Sequence, residues 1–212
     1  MEPGKTNRIE RRKEATRKKI IAAAIDLFKE QGFDQTTVEQ IAEKADVALG
    51  TIYNHFPAKE AIICEHVQRM ISEQGPGVLS LVRQLPDTRS RLTLALRKSL
   101  EWMHIELNND IYEKYLTYRL QRLVDNFKDR DPGLSSGFKN VLEPILELGK
   151  EMGEIRRDVP SQVLAGQLEV AHIITAVVWV TNAELFSIDE SIDMNVDLFL
   201  KGAESRESIS RL

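Results

Sequence analysis

"TTVEQIAEKADVALGTIYNHFPAKEAI", running from Thr36 to Ile62, decides how this chain folds. Two short helical patterns flank a tight break at Ala45-Asp46-Val47, and a third pattern starts after Pro57. Thr36 with Glu39 reads as a capping box for the first pattern, which ends near Lys44, and the second covers roughly Leu49 to His55. Helices this short are marginal in isolation, so tertiary contacts must hold them. Val38, Ile41, Ala42, Val47, Ile52 and Phe56 are spaced to point inward, toward Ile21, Ile25 and Phe28 of a preceding helix expected from about Thr16 to Gln31. Ala42 and Ala45 are small where two helices must cross closely. These features describe a three-helix unit of the helix-turn-helix kind. Its outer face carries Leu49, Gly50, Thr51, Tyr53, Asn54 and His55, a mixture of small, aromatic and hydrogen-bonding groups that suits a DNA major groove better than a solvated Lys/Glu face would.

Working outward, Gly32 supplies a stop for the first helix and Lys59 to about Gln74 forms a fourth, closed by Gly75-Pro76-Gly77. Further helical patterns follow at about Val78–Gln84, Thr88–Leu107, Asp110–Phe127, Ser135–Met152, Ser161–Ala183 and Ile188–Glu204. No segment shows sustained strand-like alternation, so the expected fold is all-α, an N-terminal three-helix domain followed by a helical bundle. The boundary falls along the fourth helix, giving domains over 1–63 and 64–212.

The 212 residues, with 42% hydrophobic and 29% charged, can bury a real core and are too apolar for a disordered chain. A formal charge of -4 argues against bulk electrostatic coating of nucleic acid, but Lys5, Arg8, Arg11, Arg12, Lys13, Arg17, Lys18 and Lys19 make the N-terminus a local basic arm. This start has no apolar stretch of the secretory kind, and no run approaches the roughly 20 apolar residues that span a bilayer. The lone Cys64 forms no internal disulfide and reads as a packed hydrophobe, and the simplest location is the cytoplasm.

The stretch from about Thr16 to Ile63 resembles the DNA-binding domain of tetracycline-repressor (TetR) family transcriptional regulators. The resemblance is carried by Thr36-Thr37-Val38, Ile41-Ala42, Ala45, Val47, Gly50-Thr51-Ile52-Tyr53, His55-Phe56 and Lys59-Glu60. Later, Gly153-Glu154-Ile155-Arg156, Asp158, Pro160 and Ala165 resemble a turn-and-helix signature common in the family's C-terminal domain. The resemblance implies phosphate-contacting or docking roles for Thr36, Thr37, Tyr53, His55 and Lys59, and base-facing roles for Leu49, Gly50, Thr51 and Asn54. The chemistry agrees, since helix N–H groups, Thr hydroxyls and a Lys ammonium can all bind phosphate oxygens. The sequence departs from the family pattern at Asp46, where a turn glycine is usual, and at Ala48, where a capping Ser is usual. The implied partners are a double-stranded DNA operator, a small-molecule effector and a second copy of the chain in a homodimer, with no membrane and no cofactor.

His55, His66, His104 and His172 are dispersed, and no Cys/His spacing resembles a metal site. Phosphate-binding glycine loops and a nucleophile elbow are absent from the sequence, so an enzyme reading has little to stand on. Met70, Ile71, Leu96, Leu100, Met103, Tyr115, Tyr118, Leu142, His172, Thr175 and Trp179 mix aromatics, Met and isolated polar groups on several helices. Singly each reads as core; together they are expected to line a ligand cavity. The rival is a TetR-fold DNA-binding or interaction protein without small-molecule control. Dimerisation is expected on the last two helices, with Ala165, Gly166, Ala171 and Ala176 allowing close approach and Ile192, Val196, Phe199 and Leu200 continuing the surface.

Overall fold

The computed structural model describes residues 3–129, 137–182, 184 and 187–203. Among these residues the chain forms nine helices: α1 (Pro3–Gln31), α2 (Val38–Lys44), α3 (Leu49–His55), α4 (Lys59–Val82), α5 (Thr88–Glu106), α6 (Asn109–Asp129), α7 (Lys139–Glu151), α8 (Ser161–Thr181) and α9 (Ile188–Ala203). The all-α class follows the sequence reading. The expected helix ends at 135, 183 and 204 lie outside the described residues. The chain divides into two compact units, Met1–Val67 with Leu107–Arg119 and Gln68–Glu106 with Leu120–Leu212.

In the first unit, Ile20, Ala24, Phe28, Ile41, Ile52, Ile62 and Ile63 are all essentially inaccessible and form its core. Cys64 is a buried thiol, as its size and chemistry suggest. α1 is longer than expected: the basic arm is helical from Pro3, so Arg8, Arg11, Arg12 and Lys13 are displayed on an exposed helical extension. α1 stops at Gly32, whose φ of +88° is the left-handed conformation that ends helices. The capping box of α2 is built by Thr37 with Gln40, not by Thr36 with Glu39. Thr36 is turned inside instead; its hydroxyl donates to the Gly32 carbonyl at 2.8 Å and accepts from Gln31 Nε2 at 3.2 Å, closing the α1–α2 turn.

α4 runs unbroken through Gly75-Pro76-Gly77, where the sequence reading places a break. Proline removes one helical N–H, but burial of the helix outweighs that local loss. Gly75 serves packing rather than termination, since a Cβ there would sit 3.2 Å from a methyl of Val141 on α7.

In the second unit α7 packs on α5 and α8, and α9 on α5 and α8. The corner after α7 carries the second family-like signature. Gly153 takes φ +76°, Glu154 Oε2 accepts the Thr88 N–H at 2.6 Å and so caps α5, and a Cβ on Gly149 would collide with the Thr88 hydroxyl and lie 2.7 Å from Ile155. Within α8, the small residues Ala165 and Ala176 are buried against its own unit, as are Ile192 and Val196 of α9. Those four positions, expected at a dimer surface, are therefore core; the exposed apolar residues of the two helices are Val163, Val170, Ile174, Met194 and Leu198. Their outward apolar character also makes α8, over Ser161–Thr181, long and apolar enough to cross a membrane by length and composition, with 39% of its most apolar window buried. That corrects the expectation that no such run exists. The same helix buries Glu169, His172 and Thr175 against the bundle, which is the pattern of a packed helix.

His172 makes the bundle sensitive to acid. Its ring stacks on Phe138 with centroids 5.4 Å apart, and Nε2 lies 3.2 Å from Ser99 Oγ. Burial pushes its pKa from the usual 6.5 down to about 4. The folded state thus holds a neutral ring while the unfolded chain binds a proton below pH 6.5. The stabilisation is complete above pH 6.5 and is lost as pH falls toward 4, at about 1.4 kcal/mol per pH unit. Urea titrations at pH 7 and pH 4.5 are expected to show a lower midpoint at the acid value, and His172→Gln is expected to flatten that difference.

Candidate nucleic-acid interface and ligand pocket

α3 turns one side inward through Ile52 and the other outward. The i, i+4 pairs Leu49/Tyr53 and Gly50/Asn54 lie on the outer side, with Leu49 at 38% and Tyr53 at 56% exposure; Thr51 and His55 are partly covered at its edges. A Cβ placed on Gly50 would meet nothing within 4 Å. Glycine there is not demanded by packing within the chain, and it leaves the helix backbone open to approach from outside. Thr37, at the start of α2, is also exposed, although its hydroxyl already accepts the Gln40 N–H.

The turn into α3 shows the effect of both departures from the family pattern. Asp46 holds φ +53°, a left-handed conformation that Asp tolerates better than most residues. Ala48 is the N-cap of α3 and offers no side-chain hydrogen bond. Ala48→Ser is expected to raise stability by about 1 kcal/mol, read as an increase in the thermal unfolding midpoint.

Two residues assigned to phosphate contacts by resemblance are placed otherwise. Thr36 is buried, with its hydroxyl used as described above. Lys59 Nζ donates to the carbonyls of Phe33 at 2.9 Å and Thr36 at 2.7 Å and lies 4.4 Å from the Phe33 ring centroid. Its charge is committed to the α1–α2 turn. The same turn is held by α6, where Asp110 Oδ2 accepts the Phe33 N–H at 3.2 Å and Lys114 pairs with Asp34 at 2.9 Å. Behind α3, Arg17 makes a two-pronged pair with Glu65 and lies 5.0 Å from the Phe56 ring centroid. His55 is held below its ordinary pKa by burial first and by the positive charges of Arg17 and Lys13 next, which keeps the ring neutral near pH 7.

In the second unit Met70, Ile71, Leu96, Leu100, Met103, Leu142, His172 and Thr175 are all buried. Leu100 and Trp179 meet in a half-open pocket of about 160 Å³ with largely apolar walls, where His104, Ile188 and Ile192 are joined by the charged residues Arg97, Glu101 and Asp189. The His104 and Trp179 rings stand edge to face at 5.5 Å. Tyr115 and Tyr118 belong to the first unit, where Tyr115 stacks on Tyr112 at 6.1 Å. Among the described residues, no group of three or more His, Cys, Asp or Glu side chains could hold a metal ion.

Residues 20–65 match the family described as bacterial regulatory proteins, tetR family. Those residues form a domain of that family. The fatty acid metabolism regulator protein of Bacillus subtilis is 25% identical to this chain over 193 residues, covering 88% of the chain and 95% of the relative. The transcriptional repressor KstR2 of Rhodococcus jostii is 26% identical over 148 residues, covering 69% and 71%. The fold matches the crystal structure of Thermus thermophilus FadR, a TetR family transcriptional repressor, in complex with lauroyl-CoA, with a TM-score of 0.72, 24% identity and coverage of 88% and 94%.

The sequence reading did not find His104, Ile188 and Ile192 in the pocket or Asp110 and Lys114 on the α1–α2 turn. The only available signal was their place on one face of α5, α9 or α6, since each contact joins residues far apart in the chain.

Proposed function

We propose that this protein is a one-component transcriptional repressor that reads a pseudo-palindromic DNA operator as a homodimer and is released by a small, largely apolar effector. The observation that carries the reading is the outer face of α3, where Gly50 opens onto empty space between exposed Leu49, Tyr53 and Asn54. In a major groove, Leu49 would favour a thymine methyl while Thr51 and Asn54 hydrogen-bond base edges, and Thr37 and Tyr53 would meet phosphates. The exposed basic extension of α1 adds phosphate contacts. Residues 1–63 supply the DNA-reading part and 64–212 the effector-binding and dimer-forming part, in a protein acting in the cytoplasm.

The effector would use the apolar residues of the second unit, with Leu100 and Trp179 at their open edge. A fatty acyl thioester is the first class to try, because Thermus thermophilus FadR holds lauroyl-CoA and the Bacillus subtilis relative is a fatty acid metabolism regulator. α4 enters both units as one unbroken helix, with Lys59 at one end and Met70 and Ile71 further along. An effector that shifts α4 would change how the recognition helices are held, provided it prefers the released state. A coupling of about 1–3 kcal/mol corresponds to roughly 5–150-fold weaker operator binding.

The experiment selects a duplex from a random library with the purified protein, then measures its affinity with and without lauroyl-CoA. Selection of an inverted repeat and its release by the thioester are expected. If no duplex is enriched, DNA reading fails; if one is enriched and neither lauroyl-CoA nor any ligand retained on purification weakens it, effector control fails and the rival reading without small-molecule control holds.

A further inference from the structure

A second cavity, of about 230 Å³, opens where the later part of α4 meets α5 and α7. Leu79, Val82, Ile145 and Leu148 form its apolar wall, and Arg83 and Arg91 also line it. Arg91 is only 3% exposed. Its Nη2 donates to the carbonyls of Leu85 at 2.7 Å and Pro86 at 3.2 Å, Nη1 meets the Met152 sulfur at 3.2 Å, and Nε has no hydrogen-bond partner. Among the described residues no carboxylate forms an ion pair with it. Arg91 helps hold the Asp87 carboxyl below its ordinary pKa, but that carboxylate accepts the Ser90 N–H at 2.7 Å, and Glu154 is taken by Thr88. A buried guanidinium with no ion-pair partner is costly, and an oxyanion in the cavity that Arg91 lines would offset that cost.

We propose that this cavity binds an oxyanion on a short alkyl body, a carboxylate or a phosphate monoester, with its head on Arg91 and Arg83 and its body against Leu79 and Leu148. The site is separate from the Leu100–Trp179 pocket and does not depend on the effector proposed above. Glu147 and Glu151 stand at the rim; Glu147 is drawn toward Lys150 at 3.9 Å, and both are exposed. They limit the site to one small anion rather than a highly charged one.

The test is calorimetric titration of the full chain with hexanoate, hexyl phosphate and 1-hexanol. At least one of the two anions is expected to bind at least about tenfold more tightly than hexanol, the preference that charge-assisted hydrogen bonds supply. The tighter anion identifies the head group. Arg91→Gln should erase the preference, Leu79→Trp should block binding by filling the cavity, and Trp179→Ala should leave it unchanged. Because Arg91 also braces the α4–α5 turn, Leu79→Trp decides the matter if Arg91→Gln fails to fold. Equal binding of hexanol, no binding of either anion, or unchanged binding in Leu79→Trp overturns the proposal. Replacing Glu147 and Glu151 together by Gln should strengthen anion binding. A loss of chain stability in that variant would show that one of them is the counter-ion of Arg91, and would also overturn it.

Discussion

Ile174→Glu is expected to turn a dimer into a monomer and to weaken operator binding by about 10²–10⁴-fold, the order of gain that linking two binding modules provides. Val163, Val170 and Ile174 are 49%, 37% and 48% exposed at i, i+7 and i+11 of α8, so they form one outward stripe. On α9, Met194 and Leu198 add a neighbouring pair at i, i+4, exposed by 57% and 61%. Both helices belong to the same unit and pack on one another, so one unit carries both stripes. An exposed apolar surface marks an interface when its area is large, and a stable one buries more than about 1,000 Å². A carboxylate at its centre would be buried without a partner, whereas the same change at exposed Gln167 would not disturb the surface. Sedimentation velocity at micromolar concentration checks both variants, and wild-type protein that sediments as a monomer would end the dimer reading.

Lys59→Ala is expected to lower stability by about 2 kcal/mol and to weaken DNA binding without changing its salt dependence. Hydrogen bonds from a charged donor contribute about 1.5–3 kcal/mol, and Lys59 makes two, to the Phe33 and Thr36 carbonyls. It also covers the Phe33 ring. Losing these contacts loosens the turn that carries Thr37 and the start of α2. A lysine that touched phosphate would behave differently, lowering the salt slope by about one unit when removed. Operator affinity measured across salt concentrations therefore separates the two roles. Unchanged stability together with a slope reduced by about one unit would return Lys59 to the phosphate-contacting role.

These residues show how far reading the sequence goes. Ile20, Phe28, Ile41, Ile52 and Phe56 follow helical spacing closely enough to identify their buried faces and the helix-turn-helix unit without coordinates. The outward position of Leu49, Gly50, Tyr53 and Asn54 follows from the same periodicity, because an inward Ile52 sets the rotation of α3. The bonds of Lys59 and Thr36 to the α1–α2 turn were not legible because their partners are backbone carbonyls, and no side-chain pattern records where a carbonyl lies. The capping residue shifted from Thr36 to Thr37 because the Gly32 carbonyl competed for the first hydroxyl.

By itself, then, the sequence determined the helical class, the three-helix unit, the outward face of α3 and the two departures at Asp46 and Ala48, all consequences of spacing and conformational preference within a few residues. Only the tertiary structure decided that α4 passes through Gly75-Pro76-Gly77, that Ile192 and Val196 are core while Met194 and Leu198 are surface, and that Arg91 lies buried with no ion pair among the described residues. Each of those outcomes depends on which helix approaches from elsewhere in the chain, and burial against that neighbour outweighs the local preference that the sequence displays.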